Sequence, residues 1–244
     1  MAARLGCEKG GFKGGGGLEP NNKYDEKLLR ILDSACRIFA KKGYHQASIR
    51  DVATETGVSP AGLYYYFKSK EELLFLILEA RLGSLIDRVQ DEAGGIEDPA
   101  LRLKTIVACH LRHFESHRES MRVLVHEWES LSGSYDHQIR SLMRQYAELV
   151  IQTLKELSPR RSIEDLRAAA FGLFGMLTWV DQWHRPDRDL PMDSLADRFS
   201  EILLQGFVPE AQTLPAPEKP EDSEPAEAWS KKNAASSILS GPGF

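Results

Sequence analysis

The chain has 244 residues, 42% of them hydrophobic, and carries 31 Lys+Arg against 36 Asp+Glu for a formal net charge of −5. That composition supports a buried core of one or two domains, and no run of about 18 apolar residues offers a membrane span. Three cysteines (Cys7, Cys36, Cys109) stand far apart with no CxxC pair, which argues against a disulfide framework or structural zinc and fits a reducing cytoplasm.

In chain order, residues 1–20 hold Gly14–Gly17 and little that packs, so they are expected to be a disordered arm. Leu28, Ile31, Leu32, Ala35, Ile38 and Phe39 then recur at helical spacing and predict an amphipathic helix over 24–42, stopped at Gly43. A short helix opens at Ser48, capped with Asp51, and ends at Gly57. Another opens at Ser59 with Pro60 in its first turn and carries Tyr64–Tyr66. A long one follows from Ser69, with Glu72 as reciprocal cap, to about Ala93. Further helices are predicted near 99–117, 119–131, 135–157, 162–184 and 193–207. Residues 209–244, broken by Pro209, Pro215, Pro217, Pro220 and Pro225, are expected to be a disordered acidic tail. No segment alternates as a strand does. The expected fold is all-α, with three short helices (21–70) in front of a long-helix bundle (71–208).

The front differs from the body in charge. Residues 1–70 hold 12 Lys+Arg against 7 Asp+Glu, while the rest hold 19 against 29. Two short helices joined by Thr56-Gly57-Val58 make a helix-turn-helix pattern, with Ala53, Val58, Leu63 and Phe67 as its locking contacts. If Leu63 and Phe67 face inward, the three tyrosines between them spread outward, where a phenol can donate to a phosphate or lie against a thymine methyl. Pro60, Ala61 and Gly62 keep the helix start slim enough for a major groove about 12 Å wide. Arg50, Lys68 and Lys70 add cations where a nucleic-acid backbone would pass.

The run "IFAKKGYHQASIRDVATETGVSPAGLYYYFKSKEELL" closely resembles the N-terminal domain of the TetR family of bacterial transcriptional repressors. The match rests on Phe39, Gly43-Tyr44, Val52-Ala53 and Leu63 to Leu73, with Tyr66 where many members carry His. The resemblance implies that Ser48, Arg50, Ser59, Pro60, Ala61, Gly62, Tyr64, Tyr65, Tyr66, Lys68 and Lys70 form the DNA-binding site. It also implies a homodimer on a palindromic double-stranded operator and release by a small ligand. Replacing Tyr65 and Lys70 by Ala is expected to cripple operator binding with the melting temperature nearly intact.

In the body, Ala168, Gly172 and Gly175 form a small-residue stripe beside large apolar neighbours. A dimer interface of Phe171, Gly172, Gly175, Met176, Trp179, Trp183, Phe199 and Leu203 is expected, the alternative being an ordinary core helix. Leu195 is counted with that seam. His110, His113 and His117 share one helix face, with Cys109 and His113 also at ligand spacing, but without an HExxH glutamate no metal is expected. No nucleophile–base motif or phosphate loop follows, so neither an enzyme nor a cofactor is expected. Trp179, Trp183, Pro186, Asp187, Leu190 and the Leu204–Phe207 ending are similar to family members controlling fatty-acid, aromatic or steroid degradation, with Arg188 in place of a usual Gly. That likeness implies an acyl-coenzyme A thioester as effector; separately, His110, His113, Arg122, Trp128, Arg140 and Phe174 are expected as ligand contacts. Two alternatives stand beside it. One is an efflux-pump repressor sensing drug-like cations through Glu127, Trp128 and Glu129; the other is an architectural DNA-binding protein without an inducer.

Overall fold

Nine α-helices follow one another in the computed structural model, which describes residues 23–205, with side chains from Glu26 onward. They are α1 (Lys23–Lys42), α2 (Ile49–Thr56), α3 (Pro60–Leu63), α4 (Lys70–Ala93), α5 (Pro99–Ser116), α6 (Arg118–Glu127), α7 (Gly133–Leu157), α8 (Ile163–Trp183) and α9 (Met192–Gln205). No strand occurs among the described residues. The arm expected at 1–20 and the tail expected at 209–244 lie outside them.

Local chemistry accounts for most of the boundaries. Gly43 and Gly57 close α1 and α2 at φ of 78° and 66°, the left-handed region that a side chain disfavours. Ser48 Oγ accepts the Asp51 N–H at 3.2 Å while Asp51 Oδ2 accepts the Ser48 N–H at 2.8 Å, a reciprocal capping box. Lys42 also reaches Asp51 at 2.7 Å. Lys42 first and Ser48 next hold that carboxyl down at about 2. Ser69 caps α4 through the Glu72 N–H at 3.0 Å, and the Glu72 carboxylate takes the N–H of Lys68.

Two boundaries differ from the sequence expectation. The third helix ends at Leu63, and Tyr64–Tyr66 form a turn in which the Tyr66 N–H bonds the Leu63 carbonyl at 2.9 Å. Leu63 and Phe67 are 0% and 2% exposed, so both must enter the core within four residues while the chain turns into α4. The helix expected at 119–131 ends at Glu127 and tightens into a 3-10 turn over Trp128–Ser130.

α1 packs on α2, α4 and α6, while α5 runs through the body in contact with α4, α6, α7, α8 and α9. Ile31, Ala35 and Phe39 of α1 join Leu63, Phe67, Leu74 and Leu78 in one apolar cluster that continues into the body. The front helices are therefore anchored on α4 by buried side chains, not merely tethered by the chain.

Candidate DNA interface and effector chamber

α2 and α3 meet across Thr56-Gly57-Val58. Thr56 Oγ1 donates to the Val52 carbonyl at 2.7 Å and accepts the Val58 N–H at 3.3 Å, stitching the turn. A methyl group on Gly62 would sit 3.0 Å from Val58 Cγ1 and 3.2 Å from Ser59 Oγ, so this glycine lets α3 press against the turn. Beyond these contacts the surface opens. Tyr64 and Tyr65 are 51% and 72% exposed, whereas Tyr66 is half-buried against the core and meets the Tyr65 ring edge-on at 5.3 Å. Ser48, Arg50, Ser59, Pro60, Ala61 and Lys68 are exposed on the same short stretch of chain, and Ser59 Oγ caps α3 through the Gly62 N–H at 3.1 Å.

Lys70 behaves differently from the expectation. Its ammonium donates to the carbonyls of Tyr44 (2.9 Å), His45 (3.3 Å) and Ala47 (3.0 Å) and lies 4.3 Å from the centre of the Tyr44 ring. All three of its protons are directed into the α1–α2 loop, so removing Lys70 strips a clamp as well as a charge. The melting temperature should fall with it. The same loop is held from the body. Glu127 Oε1 accepts the Tyr44 N–H at 3.0 Å and His45 Nε2 lies 3.2 Å from Ser130 Oγ; separately, Glu71 in the first turn of α4 takes both the N–H and the hydroxyl of Ser132 at 2.7 Å.

α8 has one face buried in the core and another left exposed. Leu166, Ala170, Leu173, Leu177 and Val180 are buried. Opposite them Phe171, Trp179 and Trp183 are 56%, 65% and 40% exposed, and a Cβ on Gly172 or Gly175 would meet nothing within 4 Å. Met176, Phe199 and Leu203 lie half-buried and Ile202 exposed. Leu195, counted with this face from the sequence, is buried in the core instead. Aromatic and small residues thus form a contiguous exposed face on this helix.

The expected effector contacts fall into separate groups. His110 Nδ1 lies 2.9 Å from the Tyr146 hydroxyl, and Phe174 packs on the other side of this cluster, 5.4 Å from Tyr146. Arg122 forms a two-pronged ion pair with Asp181 at 2.8 and 3.0 Å, tying α6 to α8. Arg140 pairs with Asp136 at 2.7 Å and lies 4.6 Å over the Trp128 ring. Of the residues named for a drug-like cation, Glu127 is engaged by the Tyr44 amide, Trp128 is covered by Arg140 and Glu129 is exposed. His113 is buried beside His117, with ring centres 4.5 Å apart.

Burial, followed by the neighbouring His113, pushes the His110 ring down to about 3, and burial followed by His117 pushes His113 to about 4. Both rings are neutral at neutral pH. Each nonetheless keeps a buried Nε2 without a partner, at a typical cost of about 1–3 kcal/mol. Cys109, at metal-ligand spacing from His113, donates its thiol to Glu92 at 3.1 Å, and no group of three metal-ligating side chains occurs among the described residues. A groove of about 510 Å³ opens between α4, α5 and α7 over Val89, Ala93, Ile106 and Leu149. Periodicity along single helices gave no sign of it, since each helix supplies only one wall.

Two family models match this chain: "Bacterial regulatory proteins, tetR family" over residues 31–77, and "Tetracyclin repressor-like, C-terminal domain" over residues 97–207. The fatty acid metabolism regulator protein of Bacillus subtilis is 23% identical over 185 residues, which cover 74% of this chain and 95% of that protein. A TetR-family transcriptional regulator from Bordetella parapertussis superposes with a TM-score of 0.72 at 27% identity, covering 79% of this chain and 100% of that one. The crystal structure of AibR in complex with isovaleryl coenzyme A and operator DNA has the same fold, with a TM-score of 0.67 at 24% identity over 73% of this chain and 98% of that one.

Proposed function

Since the chain belongs to the TetR family of bacterial regulatory proteins, a family of transcriptional regulators and not of enzymes, we propose that it is a homodimeric repressor of a palindromic operator, released by an acyl-coenzyme A-type effector. In this reading residues 21–70 form the DNA-reading head and residues 71–208 the effector and dimer body, with α4 packed against both.

Tyr64 and Tyr65 offer phenols to phosphate oxygens or thymine methyls, and Arg50 and Lys68 neutralise phosphates. Pro60, Ala61 and Gly62 enter the major groove, while the Ser48 and Ser59 hydroxyls keep their helix starts in shape. Tyr66 backs the Tyr65 ring. Lys70 acts from behind by fixing the α1–α2 loop. One such head reads only a few base pairs, so a palindrome requires a twin about 34–36 Å away, or a multiple of that distance.

The observation that carries this reading is the bare face of α8. Phe171, Met176, Trp179, Trp183, Phe199 and Leu203, with Gly172 and Gly175 between them, suit a second copy of themselves, and glycines let two helix backbones come close. For the effector, support comes from the Bacillus subtilis relative named for fatty acid metabolism and from a fold that accommodates isovaleryl coenzyme A in AibR. Sedimentation of the native protein at micromolar concentration should give a dimer mass. Phe171→Asp combined with Trp179→Asp should give a helical monomer that binds a selected operator at least about 100-fold more weakly, as expected for losing the second head. A native monomer, or a monomeric variant with undiminished binding, would sink the proposal. Thermal shift against a panel of acyl-coenzyme A thioesters tests the effector class.

A further inference from the structure

Three buried side-chain nitrogens among the described residues have no hydrogen-bond partner, and two of them, His110 Nε2 and His113 Nε2, lie on one helix three residues apart. The His110 ring is 4% exposed and stacks on Tyr146 with centres 5.8 Å apart, its Nδ1 2.9 Å from the phenol oxygen. The phenol has one proton to give. If it donates to Nδ1, the ring hydrogen sits on Nε2 and a single N–H is left unmatched. The opposite tautomer leaves both the phenol proton and the Nε2 lone pair unmatched. The first arrangement is the better one, so the bundle core holds a neutral N–H donor with nothing to receive it.

The groove between α4, α5 and α7 does not include this donor but is lined to within one helical turn of it. Its floor includes Ile106, one turn before His110 on α5, and Leu149, three residues after Tyr146 on α7. The His110–Tyr146 pair therefore continues the same seam one turn farther in. The floor is apolar and the volume, about 510 Å³, falls within the range of small-molecule sites.

We propose that an apolar ligand lies along the α5–α7 seam and that an oxygen at its inner end, a hydroxyl or carbonyl, accepts the hydrogen bond of His110 Nε2. This rests on the body being an effector chamber and narrows the class: a plain saturated chain leaves Nε2 unmatched, whereas an oxygenated chain or ring ketone satisfies it. Because burial keeps the ring uncharged, the donor suits a neutral oxygen and not a phosphate.

The test compares decanoyl-coenzyme A with ω-hydroxydecanoyl-coenzyme A, and the two corresponding free acids, by calorimetry and thermal shift on the full chain. The ω-hydroxy probe should bind roughly tenfold tighter than its plain counterpart, as one buried hydrogen bond allows. His110→Phe should abolish that preference; because it also strips the buried Tyr146 phenol of its acceptor, a rise of about 2–5 °C in the unliganded melting temperature is expected only when Tyr146→Phe is added. Should His110→Phe fail to fold, the ¹⁵N resonance of His110 Nε2 in the native protein must move with the hydroxylated probe and not with the plain one. Equal binding of plain and hydroxylated probes, or no binding by any of the four, overturns the inference. Binding of the hydroxylated free acid alone upholds it while removing the coenzyme A reading.

Discussion

His110 and His113 make the interior of the body a proton-sensitive structure. Both rings titrate below the ordinary histidine range, at about 3 and about 4, with burial the first cause in each case. Between those values and about 6.5 the unfolded chain binds protons that the folded one refuses, so stability rises with pH across that window. It is complete above about 6.5 and is lost as pH falls toward 4, at up to about 1.4 kcal/mol per pH unit for each ring. The melting temperature should therefore drop steadily from pH 6.5 to pH 5, and the His113→Phe variant should show a shallower drop. An unchanged melting temperature at pH 5 would mean that neither ring is buried in its neutral form. Asp51 acts lower down. Its carboxyl, held at about 2 by Lys42 and Ser48, supports the α2 cap above pH 4 and loses that effect as pH falls through 2. At this scale the exposure of Tyr64 and Tyr65 was legible from the spacing of Leu63 and Phe67. The orphan imidazole nitrogens were not, because their lack of a partner depends on what α7 and α4 bring to them.

α6 is ten residues long and is fastened at its middle and at its C-terminal end: Arg122 to Asp181 on α8, and Glu127 to the Tyr44 amide in the α1–α2 loop. The two fastenings are five residues apart, about 7.5 Å along the axis, too short a piece to bend. α6 thus links α8 to the loop that precedes α2. Glu127→Gln keeps the shape but weakens a charge-assisted bond, so the Tyr44 amide should exchange its hydrogen about tenfold faster while the global melting temperature changes little. Lys70→Ala, by contrast, should lower the melting temperature by several degrees along with operator binding, since three carbonyls lose their donor. Exchange at Tyr44 that is unaffected by Glu127→Gln would show that the loop holds itself. Most helices could be read from the sequence because their apolar residues recur every three or four positions and their caps are local. Lys70 and Glu127 could not, since Lys70 lies 26 residues and Glu127 83 residues from Tyr44 along the chain. α3 ends early for the same reason: the demand that Phe67 reach the core comes from α1 and α4, not from the residues beside it.

Across the molecule, a basic front stands on an acidic body. Operator binding should weaken steeply with salt, because each phosphate neutralised releases a counterion. In a dimer, Lys68→Ala removes two such contacts and should flatten the slope of log K against log salt by about 1.8, whereas Tyr65→Phe should reduce affinity without altering the slope. Equal slopes for Lys68→Ala and the native protein would place Lys68 away from the phosphates. Trp179 and Trp183 face outward on α8 while Asp181, between them in sequence, faces inward to Arg122. In the proposed dimer a single rod would thus answer to a twin on one side and to α6 on the other. Its rotational setting would then be a shared variable: a lineage that altered how two copies of the proposed dimer grip one another would, by the same substitution, reset the dose at which the proposed effector is felt.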